Sequence, residues 1–176
     1  DGDGNFYFME VNARIQVEHP VTEMVTGLDL VKEQIRLASG ELLGYGQGDI
    51  VQTGWSIECR INAENPEMNF VPNPGVIERY VPPAGEGVRL DTHLYQGYEL
   101  PIYYDSLIAK LISTAPTRDE AIAVMKQALM DFVVAPIKTT IPLYQRIMDD
   151  ADFQKGKFDT GFIKKFLPDD DDDDDD

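Results

Sequence analysis

Residues 55–63 read W-S-I-E-C-R-I-N-A, and their strict alternation decides the fold. Trp55, Ile57, Cys59 and Ile61 fall in one phase, and Ser56, Glu58, Arg60 and Asn62 in the other. Successive side chains of an extended backbone point to opposite faces. The segment therefore predicts a strand with one face turned to a core and one polar face. Cys59 lies in the apolar phase, which predicts a buried structural thiol. One cysteine also excludes an internal disulfide framework and a cysteine-built zinc site. Downstream, residues 75–81, 88–92 and 106–114 read as further strands separated by proline and glycine turns. Thr117 then opens an amphipathic helix running to about Val133. Asp119 and Glu120 sit in its first turn, and Ile122, Met125, Leu129 and Phe132 point inward. Residues 141–149 and 162–166 predict two short closing helices.

Upstream, residues 20–25 and 29–38 have helical spacing, with Asp29 as an N-cap and Ser39-Gly40 as a stop. Residues 41–53 read as a loop. The opening Asp1-Gly2-Asp3-Gly4-Asn5 is turn chemistry rather than a calcium loop, because the glycine and the closing glutamate are misplaced for one. A strand is expected at residues 6–11. A turn placed so early implies a partner strand before Asp1, so the chain is expected to be a piece of a longer protein. The outline is α+β: a strand and helices, a mixed and largely antiparallel sheet, then helices.

The 176 residues, 43% of them hydrophobic, suffice for one domain with a core or for two small lobes. No apolar run approaches a membrane span and no leader is visible, so a cytoplasmic protein without a membrane partner is expected. Eight consecutive aspartates, Asp169 to Asp176, carry eight of the seventeen net negative charges; residues 1–168 retain −9. Such a run is expected to be disordered or artificial. The acidity of the remainder argues against a nucleic-acid partner.

A second alternating stretch, E-V-N-A-R-I-Q-V-E-H-P, spans residues 10–20. As a strand it would gather Glu10, Asn12, Arg14, Gln16 and Glu18 on one face. Glu10 and Asn12 suit a hard cation that bridges phosphates. Arg14 offers a planar fork to a carboxylate, bicarbonate or phosphate. Glu18 could take a proton from an anion held by Arg14 and Gln16. A half-solvated edge strand is the alternative reading. Arg60 could bring a second guanidinium to the same place, although the sequence does not show that the two stretches meet. His19 reads as an orienting group, His93 as structural, Glu23 as a cap or pair within its helix turn, and Lys32 and Lys110 as ion-pair or surface lysines.

F-M-E-V-N-A-R-I, residues 8–15, resembles the closing strand motif of ATP-grasp enzymes, including carbamoyl phosphate synthetase. The continuation R-I-Q-V-E-H-P-V-T-E (14–23) more narrowly resembles biotin carboxylase. So do G-L-D-L-V-K-E-Q-I, E-C-R-I-N-A-E (58–64), P-N-P-G (72–75) and Y-Y-D-S-L-I-A-K-L (103–111). The likeness runs from about residue 4 to about residue 167. It implies that residues 1–52 close an ATP-grasp domain, that 53–167 form the biotin carboxylase C-terminal domain, and that 168–176 are a tail.

The resemblance also implies a reaction. ATP converts bicarbonate to carboxyphosphate, and the ureido nitrogen of biotin on a carrier is then carboxylated. By motif, Glu10 and Asn12 would bind magnesium or manganese at the ATP phosphates. Arg14, Gln16 and the Val17 backbone would hold bicarbonate, Glu18 would deprotonate it, and Arg60 would bind biotin and stabilise its enolate-like oxygen. A biotin carboxyl carrier protein or domain, a carboxyltransferase and a second copy of the chain are the implied partners, with Tyr103, Tyr104 and Asp105 at a subunit contact. The family's glycine-rich lid, its ATP-contacting lysines and its other acidic metal ligand have no counterpart here. The chain alone is thus expected to be inactive. A docking module without chemistry and a carbamoyl phosphate synthetase-like enzyme are the competing readings.

Overall fold

The computed structural model describes residues 3–167. In chain order the elements are α1 (His19–Thr26), α2 (Leu30–Ala38), β1 (Trp55–Asn62), β2 (Glu64–Asn65), β3 (Val71–Pro72), β4 (Gly75–Val76), β5 (Arg79–Val81), β6 (Val88–Thr92), β7 (Glu99–Leu100), β8 (Leu107–Ala115), α3 (Arg118–Asp131), β9 (Val133–Ala135), α4 (Ile141–Asp149) and α5 (Ala151–Gln154). Single 3-10 turns occupy Gln47–Asp49, Pro66–Met68 and Phe162–Phe166.

The central sheet is antiparallel in the order β1-β8-β6. Its register sets Cys59 opposite Leu111 and Arg60 opposite Lys110, with Leu90 and Asp91 across from the same two β8 residues. The alternation of β1 therefore continues across all three strands. One face presents Cys59, Ile61, Ala109 and Leu111, all buried, to α3. Helix α3 is capped by Thr117, whose side chain and Glu120 form a reciprocal capping box. It buries Ile122, Met125 and Leu129, as the spacing predicts, and Phe132 is buried just beyond its end. Ser113, buried on β8, donates its hydroxyl to the Ala121 carbonyl and ties sheet to helix. Helix α4 closes the core with Ile141, Leu143, Ile147 and Met148. Gly87 is required at the end of the sheet: its φ is +74°, and a Cβ there would collide with the Thr114 carbonyl.

Helices α1 and α2 form as the sequence predicts, and Asp29 caps α2 by accepting from the Lys32 N–H at 2.9 Å. The expected strand at 75–81 is divided into β4 and β5, because the two halves bond different partners, β7 and β9. The expected helix to Val133 stops at Asp131, where the chain turns into β9 beside β5. Residues 162–166 form a 3-10 turn rather than an α-helix, and α5 was not anticipated.

The largest departure lies at residues 6–18. Neither the strand at 6–11 nor an extended continuation through Glu18 forms. Phe6, Phe8, Met9 and Val11 are exposed, and no strand of the described chain pairs with them. An extended segment is stable only when a neighbouring ladder takes up its N–H and C=O groups. Lacking one, the backbone bends: Arg14 N–H bonds the Asn12 carbonyl at 2.8 Å, and His19 N–H bonds Gln16. The expected oligo-aspartate tail lies outside the described residues.

Candidate active site

The second face of the central sheet is charged and is covered by α1. Glu58 and Arg60 come from β1, Lys110 from β8, and Arg89 and Asp91 from β6. Their common face follows from the same period of two that buries Cys59 and Ile61 behind them. Glu18 stands at the N-cap of α1 yet makes no side-chain capping bond. Its carboxylate instead accepts from the Arg60 guanidinium at 2.7 Å. Two motifs 42 positions apart thus meet through a guanidinium and a carboxylate, each about half exposed and open to a ligand.

Around that pair Lys110, Asp91, Arg89 and Glu23 are tied down. Lys110 approaches the Val17 carbonyl at 3.4 Å and Asp91 at 3.5 Å. Asp91 forms a two-pronged pair with Arg89, at 2.8 and 2.9 Å. Burial pushes the Asp91 carboxyl upward, but Arg89 and Lys110 outweigh that and hold it below the usual range. The hydrogen bonds that Arg89 donates to Asp91 likewise raise the guanidinium. Glu23, buried on α1, accepts from Arg89 at 2.7 Å and from the Leu30 N–H at 2.8 Å. It therefore bridges α1 to α2 and β6, a longer reach than the expected pairing within its own turn. His19 donates from Nδ1 to the Gln16 carbonyl at 2.8 Å and fixes the turn that delivers Glu18. His93 packs edge-on against Tyr98, a structural role. Cys59 is 1% exposed, and burial pushes its thiol well up, so it is inert.

Of the residues singled out from sequence, Glu18, Val17 and Arg60 are brought together. Glu10, Asn12, Arg14 and Gln16 are not: they lie exposed on the bent segment, and the Arg14 guanidinium donates to the Ile15 carbonyl at 3.3 Å. Among the described residues no cluster of three or more His, Cys, Asp or Glu side chains could hold a metal ion. Glu10 and Asn12 by themselves supply too few ligands for a metal–nucleotide site. Sequence reasoning missed the Lys110–Asp91–Arg89–Glu23 chain. The register of β8 and β6 against β1 creates it, and only Glu58 and Asn62, beside Arg60 in the alternation, hinted at a charged face.

Residues 1–45 match the family model for the carbamoyl-phosphate synthase L chain ATP binding domain, which places this end of the chain among ATP-grasp proteins. Residues 58–165 match the biotin carboxylase C-terminal domain. The chain belongs to the biotin carboxylase family. It is 57% identical over 161 residues to biotin carboxylase 1 of Bacillus subtilis, covering 92% of this chain and 36% of that protein. It is 56% identical to the chloroplastic biotin carboxylase of Arabidopsis thaliana, over 94% of this chain and 31% of that one. The biotin carboxylase domain dimer of Hydrogenobacter thermophilus 2-oxoglutarate carboxylase, solved with MgADP, ADP and bicarbonate, superposes with a TM-score of 0.90 at 55% identity, over 94% of this chain and 36% of that one. The chain thus spans about a third of the length of these relatives.

Proposed function

We propose that this chain is the C-terminal part of a biotin carboxylase, a ligase that uses ATP to carboxylate carrier-bound biotin with bicarbonate. Residues 1–52 close the ATP-grasp domain and 53–167 form the C-terminal domain. The observation that carries the reading is the 2.7 Å contact between Glu18 and Arg60. A base for bicarbonate and a fixed cation for the biotin oxygen must stand side by side, because proton removal and carboxyl transfer occur in one pocket. Glu18 takes the proton of bicarbonate. Arg60 meets the negative charge that develops on the ureido oxygen as the nitrogen attacks carbon dioxide. Arg14, Gln16 and the Val17 backbone hold the anion, and Glu10 with Asn12 would supply two of the oxygen ligands of a magnesium or manganese at ATP, once the segment before α1 is paired into a sheet.

A relative solved with MgADP and bicarbonate supports a magnesium-bound adenine nucleotide and bicarbonate as ligands of the parent enzyme. The dimeric state of that relative supports a homodimer. A biotin carboxyl carrier and a carboxyltransferase complete the assembly. No helix among the described residues is long and apolar enough to cross a membrane. The proposed compartment is the cytoplasm, or the matrix of a plastid or mitochondrion. A carbamoyl phosphate synthetase-like activity is disfavoured, because the match to that family ends at residue 45 whereas Arg60 lies in the biotin carboxylase match.

The chain by itself is expected to perform no turnover, because one metal carboxylate and half an anion site do not carry out phosphoryl transfer. Bicarbonate-dependent ATP cleavage, measured with free biotin, tests both statements. The full-length protein is expected to show it, and the chain of residues 1–176 is expected to show none. Turnover by the chain alone, or ATP cleavage by the whole protein that yields no carboxylated biotin, would overturn the reading.

A further inference from the structure

Glu58 has no place in the mechanism above, yet its position is unusual. Both carboxylate oxygens are shut off from solvent and accept no hydrogen bond among the described residues. Charge nevertheless surrounds it: Arg60 on β1, Lys110 on β8, and Glu18 and His19 at the start of α1. A buried carboxylate so placed either holds a proton or takes a cation as partner. Both nearby cations are engaged elsewhere, Arg60 by Glu18 at 2.7 Å and Lys110 by two contacts of 3.4 and 3.5 Å. If Glu18 is to act as a base it must release Arg60. The guanidinium would then lose its counter-charge just when it has to stay aligned.

We propose that Glu58 is a positioning residue, the second seat of Arg60: when the Glu18–Arg60 pair opens, the Glu58 carboxylate takes the guanidinium and holds it on the strand face toward biotin. The inference rests on the roles proposed above for Glu18 and Arg60. Residues i and i+2 of a strand share a face about 6.6 Å apart, within reach of two long side chains. The electrostatics agree with the exchange. Burial raises the Glu58 carboxyl, Lys110 and Arg60 lower it, and Glu18 raises it, so the arrival of Arg60 favours the ionised form that binds it.

The test uses the full-length carboxylase. Without substrate, the carboxyl-stretch infrared band of Glu58, assigned by its loss in E58Q, is titrated. Its midpoint is expected to fall in E18Q, because the freed Arg60 moves to Glu58, and that fall is expected to vanish in E18Q/R60A. An equal fall with and without Arg60 reports only the removed Glu18 charge and overturns the proposal. In kinetics, E58Q is expected to lower kcat by tens of fold, toward the roughly 10²-fold that a misplaced group can cost. KM for bicarbonate and ATP should stay unchanged, the acid limb of the kcat profile should lose the part due to Glu58 and keep the part due to Glu18, and E58D should restore part of the rate and of the limb. Native kcat and a native pH profile in E58Q overturn it. Should E58Q not fold, E58D assigns the band and the E18Q and E18Q/R60A titrations decide. If E18Q and R60A both keep full activity, the underlying reading fails; if they lose it while E58Q does not, only the second seat fails.

Discussion

Two stretches of this chain carry the same alternation of apolar and polar residues, 10–18 and 55–62, and only the second becomes a strand. In β1 the apolar phase buries Cys59 and Ile61 against α3, while the backbone pairs with β8 from Trp55 to Asn62. In the first stretch Val11 is 75% exposed and the backbone bends at Asn12–Arg14. Alternation states what a segment is compatible with, whereas a partner ladder and a core decide whether the strand exists. The polar groups follow the same rule. Those on β1 are held in register with Lys110 and Asp91, and those on 10–16 stand apart until something pairs their backbone.

The comparison can be broken by substitution. Ile61→Ala, at a fully buried site, is expected to destabilise the chain by about 2–5 kcal/mol in chemical denaturation, whereas Val11→Ala should stay within about 0.5 kcal/mol. Equal losses would show that residues 10–18 pack as β1 does. Between the two regions stands Glu23, buried and doubly bonded. Glu23→Ala should cost about 2–3 kcal/mol and loosen α1, visible as faster amide exchange at its residues. The half-exposed Glu18–Arg60 pair should matter far less to folding. Glu18→Gln is expected to shift stability by about 1 kcal/mol or less, so a loss of activity in that variant is chemical rather than structural.

The smallest effect is one of pH. Burial raises the folded-state Glu58 carboxyl above its ordinary 4.5. A group shifted this way contributes stability that is full below about pH 4.5 and is lost as pH rises through the folded-state value. Glu58→Gln should therefore be more stable than the native chain at pH 7, with the difference closing as pH falls to the acid side. Urea midpoints measured across that window check the sign, and a difference that widens on acidification would contradict it.

Much of this was legible in sequence where one local pattern carries its own partner. Asp29 capping α2, the Thr117–Glu120 box and the β1 alternation are set by residues a few positions apart. The two- and three-residue ladders β2–β3, β4–β7 and β5–β9 were not: residues 75–81 read as one strand, but β2, β3, β7 and β9, which complete the ladders, carry no pattern of their own. Val133 read as a helix end because its strand partner, Val81, lies more than fifty residues upstream. At the site, Glu18 and Arg60 were visible as residue types in motifs, and their contact was not. Lys110, Asp91 and Arg89 emerge only from register. Glu10, Asn12, Arg14 and Gln16 show the converse, residues legible as a set whose backbone does not assemble them here.

The central claim is that Glu18 and Arg60 work as one unit. A double-mutant cycle on kcat/KM for biotin carboxylation, in the full-length enzyme with E18Q, R60A and E18Q/R60A, tests it most directly. Each single variant is expected to lose on the order of 10²–10³-fold, with the double variant losing no more than the worse single one. Losses that multiply in the double variant would mean that the two residues act separately, and the account would be wrong.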